Sequence, residues 1–361
     1  GDSAGLSKAL AHAFEQSARV KGPEQVELRE ILTARGAGFT YTSSYKLEHD
    51  ITQLQYIANM TGGERANWLQ KDVIPAYEAL LARIPPLSEL QRTGGLYPLA
   101  LAPHQAAAVA PFYNRALNVP DFAPLEQHLN PNLEMAAIEE AYFHSNPSVA
   151  VIDNVLSPEA LDRIRDVLQQ STVWYETKMP ERFGGYLGAY LNDGLHARTL
   201  LGLAAELRGA LPNILGPHPL RHLWAYKYDE RYTGINVHAD EAAVNLNFWV
   251  TPEDANLDKE SGGLIIYTRK PPAHWTFDMY NQVQEGGAAF ELLEESGWAA
   301  VRVPYKENRL VMFDSALFHK TDDFHFKPGF LNRRINLTLL FGEMSLDPPS
   351  STPPGTCPVG T

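Results

Sequence analysis

The chain has 361 residues, of which 44% are hydrophobic and 20% charged, the balance of a soluble globular protein with ample core. A formal net charge of −13 opposes a broad phosphate-binding surface and so argues against a nucleic-acid substrate. No apolar run approaches the ~20 residues that cross a bilayer, so a membrane partner is not expected.

The first residues carry neither the basic stretch nor the apolar stretch of a secretory signal, and the only cysteine is Cys357. Disulfides and thiolate-held zinc are thereby excluded within the chain, and the expectation is a cytoplasmic protein.

Residues 1–135 read as an α-helical domain. Leu47, Ile51, Leu54 and Ala58 form one apolar stripe at helical spacing, and "ANWLQKDVIPAYEALLARIP" repeats the pattern before Pro85 and Pro86 end it. Within the first helix "LEHD" (residues 47–50) reads as a solvated face, since adjacent residues diverge on a helix. The stretch from Pro98 to Pro131 reads as a connector with short helices.

A second domain, residues 136–345, has a different texture. "SVAVIDNVLSPEALDRIRDVLQQS" is a strand followed by a helix with Ser157 as N-cap and Pro158 at N1. From Leu220 on, "LRHLWAYKY", "AVNLNFWV", "GGLIIYT", "AAVRVPY", "NRLVMFDS" and "RINLTLLFG" are short β-branched and aromatic runs without regular helices between them. Such a series indicates a sandwich or barrel. Gly262 and Gly263 read as a turn, and the Pro/Ser/Gly-rich tail 346–361 as disordered.

His238 and Asp240 flank one residue, so on extended backbone both side chains can point the same way. Two imidazoles and a carboxylate on one face are the donor set of an open Fe(II) site. His319, 81 residues downstream in "LVMFDSALFHKT", is the candidate third ligand, placed at the end of an apolar strand. His274, in a Pro-rich loop, and His325, only nine residues before Arg334, are its rivals. Arg334, Asn336 and Thr338 alternate along one strand, which would set a carboxylate-gripping guanidinium beside the metal. Asn245 and Asn247 make one polar strand face, either solvated at a sheet edge or turned inward with Trp249.

In its order of Tyr, His-x-Asp, Gly-Gly, His and Arg-x-Asn, the stretch 147–344 resembles the Fe(II)/2-oxoglutarate-dependent oxygenases of the prolyl 4-hydroxylase-like branch. "VAVIDNVLSPEALDRI", "YKYDERYTGINVHAD", "ESGGLIIY", "NRLVMFDSALFHKT" and "RRINLTLLFG" carry the likeness. The resemblance implies an α+β protein: a double-stranded β-helix (jelly-roll) catalytic core behind an N-terminal α-helical domain. It maps His238, Asp240 and His319 onto the iron triad and Arg334 onto the clamp for 2-oxoglutarate, with Arg333 and Lys327 as alternatives. Tyr228, Tyr226 and Asn336 would help hold the cosubstrate, and Asn245, Asn247 and Trp249 lie where a substrate would approach.

The implied reaction is a dioxygen-dependent hydroxylation that releases succinate and CO2. The substrate is open: the entry segment leans towards a peptide or protein, and a small molecule is the alternative. An inactive adaptor working through the helical domain, which could also form a homodimer, is the contrasting expectation.

Overall fold

The computed structural model describes residues 41–345 except 87, 90–98, 179–183, 282 and 284. The tail and Cys357 lie outside the described residues. Helices and antiparallel sheets alternate along the chain.

Helix α1 (Ser44–Thr61) starts where Ser43 Oγ accepts from the Lys46 amide at 3.1 Å and ends at Gly62, whose φ of 64° suits glycine. Helix α2 (Gly63–Trp68) runs through a π-helical turn, Leu69–Val73, into α3 (Ile74–Leu81). Pro75 has no N–H to offer the preceding turn, and the wider turn lies directly ahead of it. The expected stripe Leu47, Ile51, Leu54 and Ala58 is buried in a core shared with Leu69, Val73 and Tyr77, each such apolar side chain contributing about 1.5–3 kcal/mol. Helix α4 (Pro103–Val109) adds Val109 to it, in keeping with a connector of short helices.

The reading of "LEHD" as a solvated face needs correction. His49 is fully buried and Asp50 nearly so. Asp50 accepts from Lys46 Nζ and lies 3.0 Å from His49 Nδ1, while His49 Nε2 is 3.2 Å from Lys227 Nζ. Helix α1 is clasped on two sides: Leu47 faces the helical core, whereas His49 and Gln53 face the β-rich region. Gln53 donates to the carbonyls of Gln169 and Ser171 at 2.8 and 2.9 Å. A period-3.6 stripe identifies one apolar face and is silent about a second, polar contact.

Past a short ladder of β1 (Tyr41–Thr42) and β2 (Leu99–Ala100), helix α5 (Met135–His144) leads into β3 (Val149–Asp153) and α6 (Pro158–Gln170). Ser157 Oγ caps α6 by accepting from the Ala160 amide at 3.2 Å, as expected. Then come β4 (Glu176–Lys178), β5 (Tyr186–Tyr190), α7 (Arg198–Ala210), β6 (Leu220–Tyr228), β7 (Val244–Trp249) and β8 (Leu264–Tyr267). Helices α8 (Phe277–Tyr280) and α9 (Ala288–Glu295) separate β8 from β9 (Ala300–Val303), so this region is not free of helices as the strand pattern suggested. Strands β10 (Arg309–Asp314), β11 (His319–Thr321) and β12 (Ile335–Phe341) complete the order.

Seven strands form one antiparallel sheet, in the order β3-β10-β7-β12-β6-β5-β4, and β11-β8-β9 form a second. The outer face of the large sheet, with Leu246, Phe248, Leu310 and Leu337, packs on Leu161, Ile164, Leu200 and Leu203 of α6 and α7. Its inner face, with Tyr226, Tyr228, Trp249 and Phe313, packs on Leu264, Ile266 and Val303 of the small sheet. Strand β7 is central, flanked by β10 and β12, and buried on both faces. The Asn245/Asn247 face is therefore inward and not a solvated edge. Among the described residues no helix is long and apolar enough to cross a membrane.

Candidate metal centre

His238, Asp240 and His319 meet, with one donor atom from each within 4.8 Å of the others. His238 Nε2 is 3.8 Å from Asp240 Oδ1, and His319 Nε2 is 3.5 Å from Oδ2. The imidazole centroids are 4.2 Å apart. His319 does not end the apolar strand β10, as expected from sequence. A turn after Asp314 carries the chain to the opposite sheet, and His319 is the first residue of β11. His238 reaches the same point from the loop before β7 by a backbone bridge, with His238 N to His319 O at 3.0 Å and the reverse bond at 2.8 Å.

The side chains are held for donation. His238 Nδ1 is 2.8 Å from the Asn236 carbonyl and His319 Nδ1 is 3.0 Å from that of Leu317. A carbonyl can only accept, so each Nδ1 carries the proton and each Nε2 turns a lone pair to the shared centre. Burial, with His319 alongside, pushes His238 down to about 4, so the ring is neutral at neutral pH. Burial alone would raise Asp240, but the two imidazoles and the Asn245 amide outweigh it and keep the carboxyl below its usual range. Asn281 clamps the residue between His238 and Asp240: its Oδ1 accepts from the Ala239 amide at 2.9 Å, and its Nδ2 donates to the Ala239 carbonyl at 3.2 Å. No sequence signal marked Asn281.

A cavity of about 590 Å³ opens in front of the three residues. At its inner end lies Arg334, 1% exposed, immediately ahead of β12. Its Nε donates to the Gly262 carbonyl at 2.7 Å and its Nη2 to that of Gly263 at 3.1 Å. Nη1 is buried without a hydrogen-bond partner, and the Tyr228 ring lies 4.8 Å from the guanidinium carbon.

The two glycines thus do more than turn the chain. A Cβ on Gly263 would come within 1.9 Å of the Val303 carbonyl oxygen, so the small sheet admits no side chain there. The alternatives to Arg334 point elsewhere: Arg333 pairs with Asp229 at 3.2 Å, and Lys327 with Asp254 at 2.9 Å. His274 and His325 are exposed in loops.

Tyr226, Tyr228, Asn247 and Asn336 line the cavity, as do Thr338 and Thr321. Asn245 stands behind this wall and donates to Asp240 Oδ2 at 2.8 Å. Trp249 is not among the lining residues: it is fully buried, stacks on Tyr305 at 5.4 Å and lies 5.8 Å from the Arg334 guanidinium. Sequence reasoning missed the aromatic wall of Tyr186 and Trp224 beside Tyr226. The alternation in "LRHLWAYKY" already sets Trp224, Tyr226 and Tyr228 on one face, and that signal went unused.

No protein-family model matches the chain, and none of the curated proteins matches it. Among solved structures it is similar to a Pseudomonas putida prolyl-4-hydroxylase, at 15% identity over 58% of this chain and 100% of that one, with a TM-score of 0.37. It is similar to HygX from Streptomyces hygroscopicus with nickel and 2-oxoglutarate bound, at 13% identity over 57% and 86% of the two chains, TM-score 0.39. A third is the epimerase SnoN from nogalamycin biosynthesis, described as non-heme and alpha-ketoglutarate dependent, at 12% identity over 61% and 91%, TM-score 0.41.

Proposed function

We propose that the chain is an Fe(II)- and 2-oxoglutarate-dependent dioxygenase with a double-stranded β-helix core, which hydroxylates a C–H group. One C–H, one dioxygen and one 2-oxoglutarate give C–OH, succinate and CO2. The observation that carries the reading is the pairing of a His-Asp-His donor set with a buried, unpartnered guanidinium nitrogen in the same cavity.

The donor set suits Fe(II): two imidazole nitrogens and one carboxylate on one side of a point, with the other side opening into the cavity. His238, Asp240 and His319 would hold the metal, which supplies a centre where cosubstrate and dioxygen meet. Arg334 Nη1 would bond the distal carboxylate of 2-oxoglutarate, and its charge survives burial because guanidinium does not lose its proton. Tyr228 and Thr321 shape that end of the cavity. Leu264 and Ile235 line the cavity with apolar surface, and Phe313 and Ile266 pack behind them in the same core, which would keep water from the inner end. An adaptor that had lost catalysis would have no use for a buried guanidinium with one nitrogen left unpartnered, since burying such a group is costly.

The test is anaerobic addition of Fe(II) and 2-oxoglutarate to the purified chain. A metal-to-ligand charge-transfer band is expected, and His238→Ala abolishes it together with succinate release. Absence of the band in the wild type, or succinate release that survives His238→Ala, overturns the reading.

A further inference from the structure

The polar side chains on the cavity face of the large sheet form a chain of hydrogen bonds with one direction. Asp240 Oδ2 accepts from the Asn245 amide nitrogen at 2.8 Å. That leaves Asn245 Oδ1 to accept from Asn247 Nδ2 at 2.5 Å. Asn247 Oδ1 then accepts from Asn336 Nδ2 at 2.6 Å and from Thr338 Oγ1 at 3.1 Å. Turning any one amide over would set nitrogen against nitrogen or oxygen against oxygen. Asp240 therefore dictates the orientation of all three asparagines.

The chain ends on Asn336 Oδ1. This atom is buried without a hydrogen-bond partner, on a residue 4% exposed that lines the cavity. A buried acceptor left unpaired costs about 1–3 kcal/mol, so a site that keeps one is built for a donor. The 2-oxoglutarate dianion cannot supply it, because all its polar atoms are acceptors. The expectation that Asn336 helps hold the cosubstrate is therefore not the use its free atom suits.

What lies beside Asn336 narrows the donor's carrier. Across the β12–β6 ladder Asn336 faces Tyr226 and Thr338 faces Trp224. Trp224 and Tyr226 are stacked with centroids 5.8 Å apart and planes at 29°, and Tyr186 adjoins Tyr226 at 4.6 Å. A flat aromatic floor thus runs up to a lone acceptor.

We propose that the substrate is a small, ring-bearing molecule that lies on Trp224 and Tyr226 and gives an O–H or N–H hydrogen bond to Asn336 Oδ1. Its place in the reaction rests on the oxygenase reading, while the direction of the amide chain needs only the Asp240 carboxylate. A site that pairs a buried acceptor with a donor rejects the analogue lacking the donor far more strongly than one that reads shape alone.

The probes are indole and 1-methylindole, which share a flat ring and differ in one N–H. The full chain, loaded with Zn(II) and 2-oxoglutarate to prevent turnover, is titrated with each by isothermal calorimetry. Indole should bind about tenfold more tightly, the worth of one hydrogen bond to a buried neutral acceptor. Asn336→Leu and, should that variant fold poorly, Asn336→Ala, both of which remove the acceptor, should erase the difference. Trp224→Ala should weaken both probes and preserve their ratio.

Equal affinities in the wild type, as when a water satisfies Asn336, or a ratio that persists in both Asn336 variants, overturn the proposal. The Fe(II)/2-oxoglutarate charge-transfer band separates the two levels. A band with equal affinities removes this inference alone. No band with a tenfold ratio removes the oxygenase reading and leaves the donor site standing.

Discussion

The Arg334 Nε–H donates to the carbonyl of Gly262 at 2.7 Å. With Nη2 committed to Gly263, two edges of the guanidinium are spent on backbone and the third is aimed. Lysine has no such geometry: one ammonium cannot satisfy two carbonyls and also present a fixed donor to a carboxylate. Arg334→Lys should therefore weaken 2-oxoglutarate binding by about 10- to 100-fold, the worth of a charged hydrogen bond, and leave metal affinity within about twofold. The concentration dependence of the charge-transfer band measures the first, and Mn(II) calorimetry without cosubstrate measures the second.

Gly263 is held to its lack of a side chain by the Val303 carbonyl oxygen, 1.9 Å from where a Cβ would stand. In Gly263→Ala either β9 or the residue 262–263 backbone must shift, and the latter moves the carbonyls that hold Arg334. The melting temperature should fall and cosubstrate affinity should drop with it, whereas a surface substitution such as Glu260→Ala should change neither. Thermal melts with and without saturating 2-oxoglutarate provide the check.

The Asn245 amide occupies Asp240 Oδ2 and so fixes how the carboxylate presents its other oxygen. Asn245→Leu preserves volume but removes this bond, and loss of such a supporting partner typically costs about 10–100-fold in metal affinity. Mn(II) titration followed by electron paramagnetic resonance should show a weakening of that order. Affinity equal to wild type would mean that Asp240 is oriented by the backbone alone.

At the far edge of the large sheet, Arg309 grips Asp153 through two nitrogens, at 2.6 and 3.1 Å. Arg309, against the upward pull of partial burial and helped by Lys306, holds Asp153 down at about 2, against about 3.9 in an unfolded chain. The folded value is the lower one, so the pair's stabilisation is fully present above about pH 3.9 and is lost as pH falls towards 2. Asp153→Asn should lower the urea midpoint at pH 7, and the gap to wild type should close on acidification between pH 4 and 2. A gap that stays constant with pH would dissociate the effect from ionisation.

The strands β6, β7, β8, β9, β10 and β12 were legible in the sequence because each is a short run rich in β-branched, aromatic and other apolar side chains. Short β5 was not, since "YLGAY" next to a loop is too brief to separate from noise. The meeting of His238 and Asp240 was legible because the two sit at a spacing that extended backbone turns to a common side. The Asn245/Asn247 face stayed ambiguous until pairing was known: a polar alternation reads the same on a wet edge as on a buried wall, and only flanking by β10 and β12 decides. Gly262 and Gly263 were undervalued because the groups they contribute are carbonyls, which every residue has. His49 was misjudged for a related reason. A helix face is classed by what surrounds it, and its partner Lys227 lies 178 residues away.

His238 and His319 are joined by a reciprocal pair of backbone hydrogen bonds between the loop ahead of β7 and the first residue of the small sheet. The loop that carries His238 thus runs along β11 of the small sheet, and the two imidazoles meet where it does so, with centroids 4.2 Å apart. A divalent ion seated there would act as a latch across that seam, and its removal would first free the two amides that span it. Chelation should then show as faster deuterium uptake at His238 and His319, ahead of any change in the helical core around Leu47 and Tyr77.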